Sequence, residues 1–188
     1  HTHLQFPLEF QSCNRHEALS IKEWGECTLC SFPVKHRIEG FGYAFRYNPA
    51  DFNIRKEAIA EFSIQREEIL QLKSGQDVLR GTGQWLYVDR ICKPLNASLK
   101  YVFSGDTAPC HHTMDMAANA NILYHEATFL HEMKAKAKAT GHSTARQAAE
   151  LATKAKVKKL VLGHFSSRYR DESVILDEAA QVHSNVVL

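Results

Sequence analysis

Residues 100–169 decide the fold, and four short segments punctuate them: SGDT (104–107), YHEAT (124–128), GHST (141–144) and GHFSSRY (163–169). Three apolar runs, YVF, NILY and KLVLG, each lead straight into polar residues capable of chemistry. Asp106 follows the first, His125 and Glu126 the second, and His164 the third. The runs are short, rich in Val, Ile, Leu and aromatics, and separated by segments of helical character. That is the pattern of buried strands alternating with helices. In open α/β sheets, ligands gather at the carboxyl ends of strands. Residues able to bind metal or move protons therefore sit where that rule places a site.

Within this stretch a strand ends at Asp106, a short helix covers 110–118, and a second strand covers 121–126. Residues 128–140 read as helical, with Glu132, Lys134, Lys136 and Lys138 facing solvent. Thr144 and Gln147 form a capping-box pattern, the Thr oxygen and the Gln amide each serving a free backbone N–H. The helix they open, 145–156, has a small apolar face of Ala148, Leu151, Ala152 and Ala155. It ends in lysines, which suits the negative end of the helix dipole. A strand over 159–162 precedes His164. Asp171 opens a last helix to about residue 183, and 184–188 begins another strand.

Outward from this frame, residues 4–12 read as extended and 17–23 as a short turn or strand. Residues 27–34 alternate well enough for a strand. Cys27-x-x-Cys30 is a lone pair; a zinc ribbon needs a second pair, and Cys92 and Cys110 do not supply that spacing. These cysteines read as structural or incidental. In PVKHRIEGFGYAF (33–45), His36 follows a strand-like run, and Gly40 and Gly42 mark a turn before YAFRY. On this segment alone, His36 is a polar turn residue of a hairpin. Residues 51–60 and 65–72 read as amphipathic helices, and Gly75 is a stop. Turn signals follow at Gly81-Thr82-Gly83 and at Pro94. The region 49–98 reads as an insertion between two core strands.

The chain has 188 residues, 44% hydrophobic and 23% charged, which suits one globular domain with a sizeable core. A net charge of +2 makes no case for a strongly basic nucleic-acid surface, although a local patch can hide in a balanced total. Five cysteines, without disulfide-like spacing, suggest a reducing compartment, and the cytoplasm is the expected location. No apolar run is long enough to span a membrane, and no signal peptide is evident. Of the eleven histidines, His1 and His3 read as a tag remnant.

Asp and His at strand ends are common zinc ligands. One carboxylate between two metals can bridge them, as in two-metal phosphodiester hydrolysis, where the ions lie about 3.5–4 Å apart. From strand-end placement alone, a buried Asp and a hydrogen-bonded core His remain the plainer reading.

SGDT, YHEATF, GHSTARQAAELA and LVLGHFSSRY, in this order and spacing, closely resemble ribonuclease Z (tRNase Z), and VKHRIEGFGY resembles that family's preceding histidine motif. The resemblance covers residues 33–188 well and residues 1–32 vaguely. It implies an α/β fold, the αββα metallo-β-lactamase-like sandwich. It also implies a zinc-dependent endoribonuclease that removes the 3′ trailer from precursor tRNA through attack by zinc-activated water. By resemblance, His36 is a ligand of one zinc, Asp106 the carboxylate bridging two zincs, and His164 a ligand of the second. His142 resembles the proton donor for the leaving 3′ oxygen, and Glu126 would orient and charge-stabilise its imidazole. Arg168, with Ser166 and Ser167 beside it, resembles a contact to the scissile phosphate, which an Arg fork matches well. His125 falls on the opposite strand face from Glu126 and reads as structural. A homodimer is implied, with no membrane partner.

Two departures stand out. The family's HxHxDH motif, source of most zinc ligands and of the general base, is absent, so the chain resembles only the family's C-terminal part. By itself it is expected to bind zinc weakly, to be inactive, and to leave an apolar sheet face bare. Residues 49–98 occupy the place of the family's tRNA-binding arm, but the Gly-Pro-rich tip is replaced by FSIQREEILQLKSG (62–75). Lys and Arg remain there to meet phosphates. Two other readings stand beside this one. One is a different enzyme of the same fold, a phosphodiesterase or arylsulfatase. The other is an inactive fragment acting as a binding module.

Overall fold

The computed structural model describes residues 9–49, 51–95 and 97–188. In chain order come strands β1 Leu19–Trp24, β2 Cys27–Pro33, β3 Phe41–Tyr47 and β4 Phe52–Ile54, then helices α1 Lys56–Glu61 and α2 Arg66–Lys73. Next are β5 Val78–Leu79, β6 Trp85–Leu86, α3 Val88–Ile91, β7 Cys92–Pro94 and β8 Leu99–Phe103. Then follow α4 His111–Ala117, β9 Ile122–Glu126, a 3-10 turn at His131–Met133, and α5 Lys134–Thr140. Helix α6 Ala145–Lys154, strand β10 Lys159–Gly163, helix α7 Ser173–Ala180 and strand β11 Val186–Val187 end the described elements. Most of the extended reading of 4–12, and both His1 and His3, lie outside the described residues.

Two compact units divide the chain. The first holds Thr28–Arg46 and Lys100–Leu188 with the segment ending at Trp24; the second holds Gly25–Cys27 and Tyr47–Leu99. A seven-stranded sheet, ordered β1-β2-β3-β8-β9-β10-β11, frames the first unit. Strands β8, β9, β10 and β11 pair in parallel. Parallel neighbours need crossovers, and helices fill them: α4 between β8 and β9, α5 and α6 between β9 and β10, α7 between β10 and β11. Strands β3 and β8 are neighbours in the sheet although 51 residues of sequence, 48–98, separate them.

Register gives the sheet two different faces. Val102, Leu123 and Leu160 stand in one row and are fully buried. They pack with Ala148, Ala152 and Ile175 of α6 and α7 in one core. Burial of each large aliphatic side chain there contributes about 1.5–3 kcal/mol. The alanines of α6 keep that face small, so the helix can approach the strands closely. Phe103, Tyr124 and Val161 form the alternate row, with Phe103 stacked on Tyr124 at 5.0 Å between centroids. Phe45 and Tyr101, 6.0 Å apart, remain 42% and 36% exposed. Among the described residues, therefore, helices cover one face and leave an aromatic strip open on the other.

Gly42 lies inside β3, not in the turn that the sequence suggested, because the Phe32 ring fills the place a Cβ would take there. The helix expected over 128–140 starts only at Lys134. Phe129 is drawn instead into a bridge with Thr144, so long-range backbone pairing overrides local helical propensity. The capping box is present as expected. Thr144 N donates to Gln147 Oε1 at 3.0 Å, and Gln147 N donates to Thr144 Oγ1 at 3.2 Å.

The second unit has its own core of Ala58, Ile64, Leu72, Val78, Leu86, Val88, Ile91 and Cys92. The helix expected over 51–60 is split. Phe52–Ile54 is strand β4, antiparallel to β7, and α1 begins only at Lys56. Phe52 and Ile54, two residues apart, turn one strand edge toward this small core. A short hairpin pairs β5 with β6. Arg80 there grips Glu68 of α2 through Nε and Nη2, each at 2.7 Å from a carboxylate oxygen. Those hydrogen bonds pull the Glu68 carboxyl down to about 2.

Candidate active site

Glu126, the last residue of β9, is fully buried. A buried carboxylate must be satisfied by donors, and this one draws them from three loops. Its Oε1 accepts from Thr107 N at 2.8 Å and from His142 Nδ1 at 2.7 Å. Its Oε2 accepts from Thr128 Oγ1 at 2.6 Å, Ser143 N at 3.0 Å and Thr128 N at 3.3 Å. The loops after β8, after β9 and before α6 are thus tied to one side chain.

His142 sits at the start of the segment that follows α5. Gly141, in the left-handed region at φ 77°, ends that helix, as glycine commonly does. His142 N then donates to Ala137 O at 2.9 Å, which aims the ring toward Glu126. With Nδ1–H given to the carboxylate, Nε2 faces outward. The side chain is 14% exposed, so the ring is walled in but reachable.

Asp106 and His164 flank this ring at the carboxyl ends of β8 and β10. Gly105 takes φ 63°, and the turn it makes presents Asp106. His164 itself takes φ 59°, a strained setting that recurs at functional positions. His164 Nδ1 lies 2.9 Å from Thr128 Oγ1 and 3.5 Å from Asp106 Oδ1. Ligand atoms of Asp106, His142 and His164 all fall within 4.8 Å of one another.

His36 lies on the far side of His142. Its Nδ1 donates to Gly141 O at 2.9 Å, and its ring meets His142 edge-on at 4.9 Å. His142 stacks in turn on His164 at 5.3 Å. The three imidazoles form a row, and the close group around Asp106 contains His142 rather than His36. The His36 loop is fastened to the Asp106 loop by Lys35 N on Thr107 Oγ1 at 3.1 Å and Ala108 N on Lys35 O at 2.8 Å.

Arg168 is exposed beside this row. Its Nε donates to Ser166 Oγ at 2.9 Å, and its guanidinium lies 5.1 Å from the centroid of Phe129, itself edge-on to His142. Ser167 is exposed on the same turn. His125 is fully buried and donates Nδ1–H to Glu126 O at 2.8 Å, with no partner at Nε2. Burial pushes its basicity below that of an ordinary histidine.

No family model matches the chain. Curated relatives do. A ribonuclease Z of Phocaeicola vulgatus is 33% identical over 185 residues, 98% of this chain and 60% of the relative. One of Cytophaga hutchinsonii is 35% identical over 188 residues, 100% of this chain and 60% of the relative. One of Parabacteroides distasonis is 37% identical over 168 residues, 89% of this chain and 55% of the relative. The chain is a homologue of ribonuclease Z. It spans about three-fifths of the length of the relatives it matches.

Solved structures agree on the fold. Human tRNase Z, short form, superposes with a TM-score of 0.53 at 21% identity, covering 92% of this chain and 42% of that one. The metallo-β-lactamase-fold protein YhfI of Bacillus subtilis gives 0.57 at 14% identity, covering 96% and 51%. The sheet with its helical layer is therefore part of a metallo-β-lactamase fold.

That fold implies a metal, and this ribonuclease Z homologue has residues that fit one. Asp106 offers an exposed carboxylate, ring nitrogens of His142 and His164 lie within 4.8 Å of it and of each other, and Nδ1 of His36 and of His164 is held by Gly141 O and Thr128 Oγ1. Such outer partners are what orient ligating histidines in metal sites. Sequence reasoning assigned no role to Thr107, Thr128 or Ser143. Each lies inside a quoted motif, one or two positions from a residue that was assigned. The available signal was a Ser or Thr one or two positions from a site carboxylate or imidazole.

Proposed function

We propose that the chain is part of a zinc-dependent endoribonuclease that removes the 3′ trailer from precursor tRNA. The observation that carries this is the hydrogen-bonded pair of buried Glu126 and part-buried His142, 2.7 Å apart, set beside Asp106 and His164. His36, Asp106 and His164 would hold zinc, the two imidazoles and the carboxylate as its ligands. Zinc, when bound, supplies Lewis acidity toward a phosphodiester and activates the attacking water.

The chain's own residues do the rest. Glu126 holds the Nδ1–H of His142, so Nε2 faces the site and can hand a proton to the leaving 3′ oxygen. The Glu126 carboxylate orients the His142 ring, whereas a carbonyl orients the ring of His36 and a hydroxyl lies against that of His164. Arg168, braced by Ser166 and lying over Phe129, would meet a phosphate oxygen, with Ser167 alongside. The unit holding residues 47–99 would contact tRNA phosphates. Two copies would assemble, and the cytoplasm is the proposed location. Among the described residues no helix is long and apolar enough to cross a membrane.

The test uses a form of the protein spanning the full length of its relatives, with zinc and a precursor tRNA. One endonucleolytic cut that releases the 3′ trailer is expected. Hydrolysis of small model diesters without cleavage of the tRNA would favour a different phosphodiesterase of this fold.

A further inference from the structure

We infer that Thr128 is a positioning residue: its hydroxyl fixes the tautomer of His164 and ties that ring to the Glu126–His142 pair. The inference deepens the proposed zinc site and rests on it for its metal arm. Thr128 is 7% exposed, and its Oγ1 has three polar neighbours. These are Glu126 Oε2 at 2.6 Å, His164 Nδ1 at 2.9 Å and His142 Nδ1 at 3.4 Å.

Proton counting fixes the direction of each bond. A threonine hydroxyl has one proton to give and lone pairs to receive. An ionised carboxylate only accepts, and at 2.6 Å the short O–H···O⁻ contact claims that proton. Oγ1 can then only accept from His164, so His164 carries its proton on Nδ1 and its lone pair on Nε2. His142 already gives its Nδ1–H to Glu126 Oε1 at 2.7 Å, which leaves the longer 3.4 Å contact to Thr128 secondary. The chain of bonds runs from His164 through Thr128 and Glu126 to His142, with every buried proton placed.

Among the described residues, the other acceptor near His164 Nδ1 is Asp106 Oδ1 at 3.5 Å, too long for a good hydrogen bond. Without the hydroxyl, the ring would turn toward Asp106 or exchange tautomers. Either change would compete with metal binding by Asp106 or by His164 Nε2.

The experiment has two readouts on the 188-residue chain. Proton–nitrogen correlation spectra of metal-free protein, near pH 7.5, report the tautomer of His164 directly. Competition with a chromophoric chelator reports zinc affinity. The wild type should show His164 protonated at Nδ1. Thr128→Val should lose that single tautomer and bind zinc about 10–100-fold more weakly, the usual cost of losing an outer partner. Thr128→Ser, which keeps the hydroxyl, should restore both, and melting curves should show Thr128→Val folded.

A wild-type spectrum with His164 protonated at Nε2 would overturn the inference, whether or not Thr128→Val folds. So would a folded Thr128→Val with unchanged tautomer and zinc affinity. A wild type that shows the Nδ1–H tautomer yet binds no zinc would support the positioning role while removing the zinc reading.

Discussion

Replacing His142 by alanine is expected to lower turnover on precursor tRNA by about 10²–10⁴-fold, the usual range for general acid–base catalysis. The measurement is single-turnover cleavage by a form spanning the full length of the relatives, with zinc content followed by elemental analysis. Zinc content should not change. The expectation follows from the partner at Nδ1. Glu126, fully buried and 2.7 Å away, suits a ring that carries and releases a proton at Nε2. His142 also stands within 4.8 Å of Asp106 and His164, so the geometry allows the competing role of metal ligand. Loss of zinc together with activity would assign it that role and remove the proton-donor reading.

Removing Glu126 should do more than disable His142. The Glu126→Ala variant leaves the amides of Thr107 and Ser143, the hydroxyl of Thr128 and the Nδ1–H of His142 without their acceptor. Buried donors left unmade cost about 1–3 kcal/mol each, so four of them at the low end of that range give a combined loss of about 4 kcal/mol or more. Urea unfolding followed by far-UV circular dichroism measures it. A loss under about 1 kcal/mol would show that water enters freely and that Glu126 does not hold the three loops together. The variant therefore separates a scaffold residue from one whose role is confined to the reaction.

The parallel part of the fold was legible because its strands are short apolar runs ending in polar residues. Val102, Leu123 and Leu160 in one row need a helical layer, and the spacing of Ala148, Leu151 and Ala152 supplied one. Glu126 and His142 were legible from their motifs, and the structure sets them in hydrogen-bond contact. The row of three imidazoles was not legible. His36 lies 105 positions before Gly141, and nothing local in its segment shows that its Nδ1 seeks that carbonyl. The start of α5 was misread because Phe129 pairs with Thr144, a contact that helical spacing cannot reveal. Thr128 was hidden for a similar reason. A single hydroxyl next to a strand end carries no pattern, and its part emerges only when each proton in the network is assigned.

Zinc binding by the 188-residue chain, measured by competition with a chromophoric chelator, tests the metal assignment most directly. The wild type should bind zinc, weakly. Asp106→Ala and His164→Ala should each abolish that binding while leaving the far-UV circular dichroism spectrum unchanged. No binding by the wild type, or equal binding by both variants, would contradict the assignment of these residues as metal ligands.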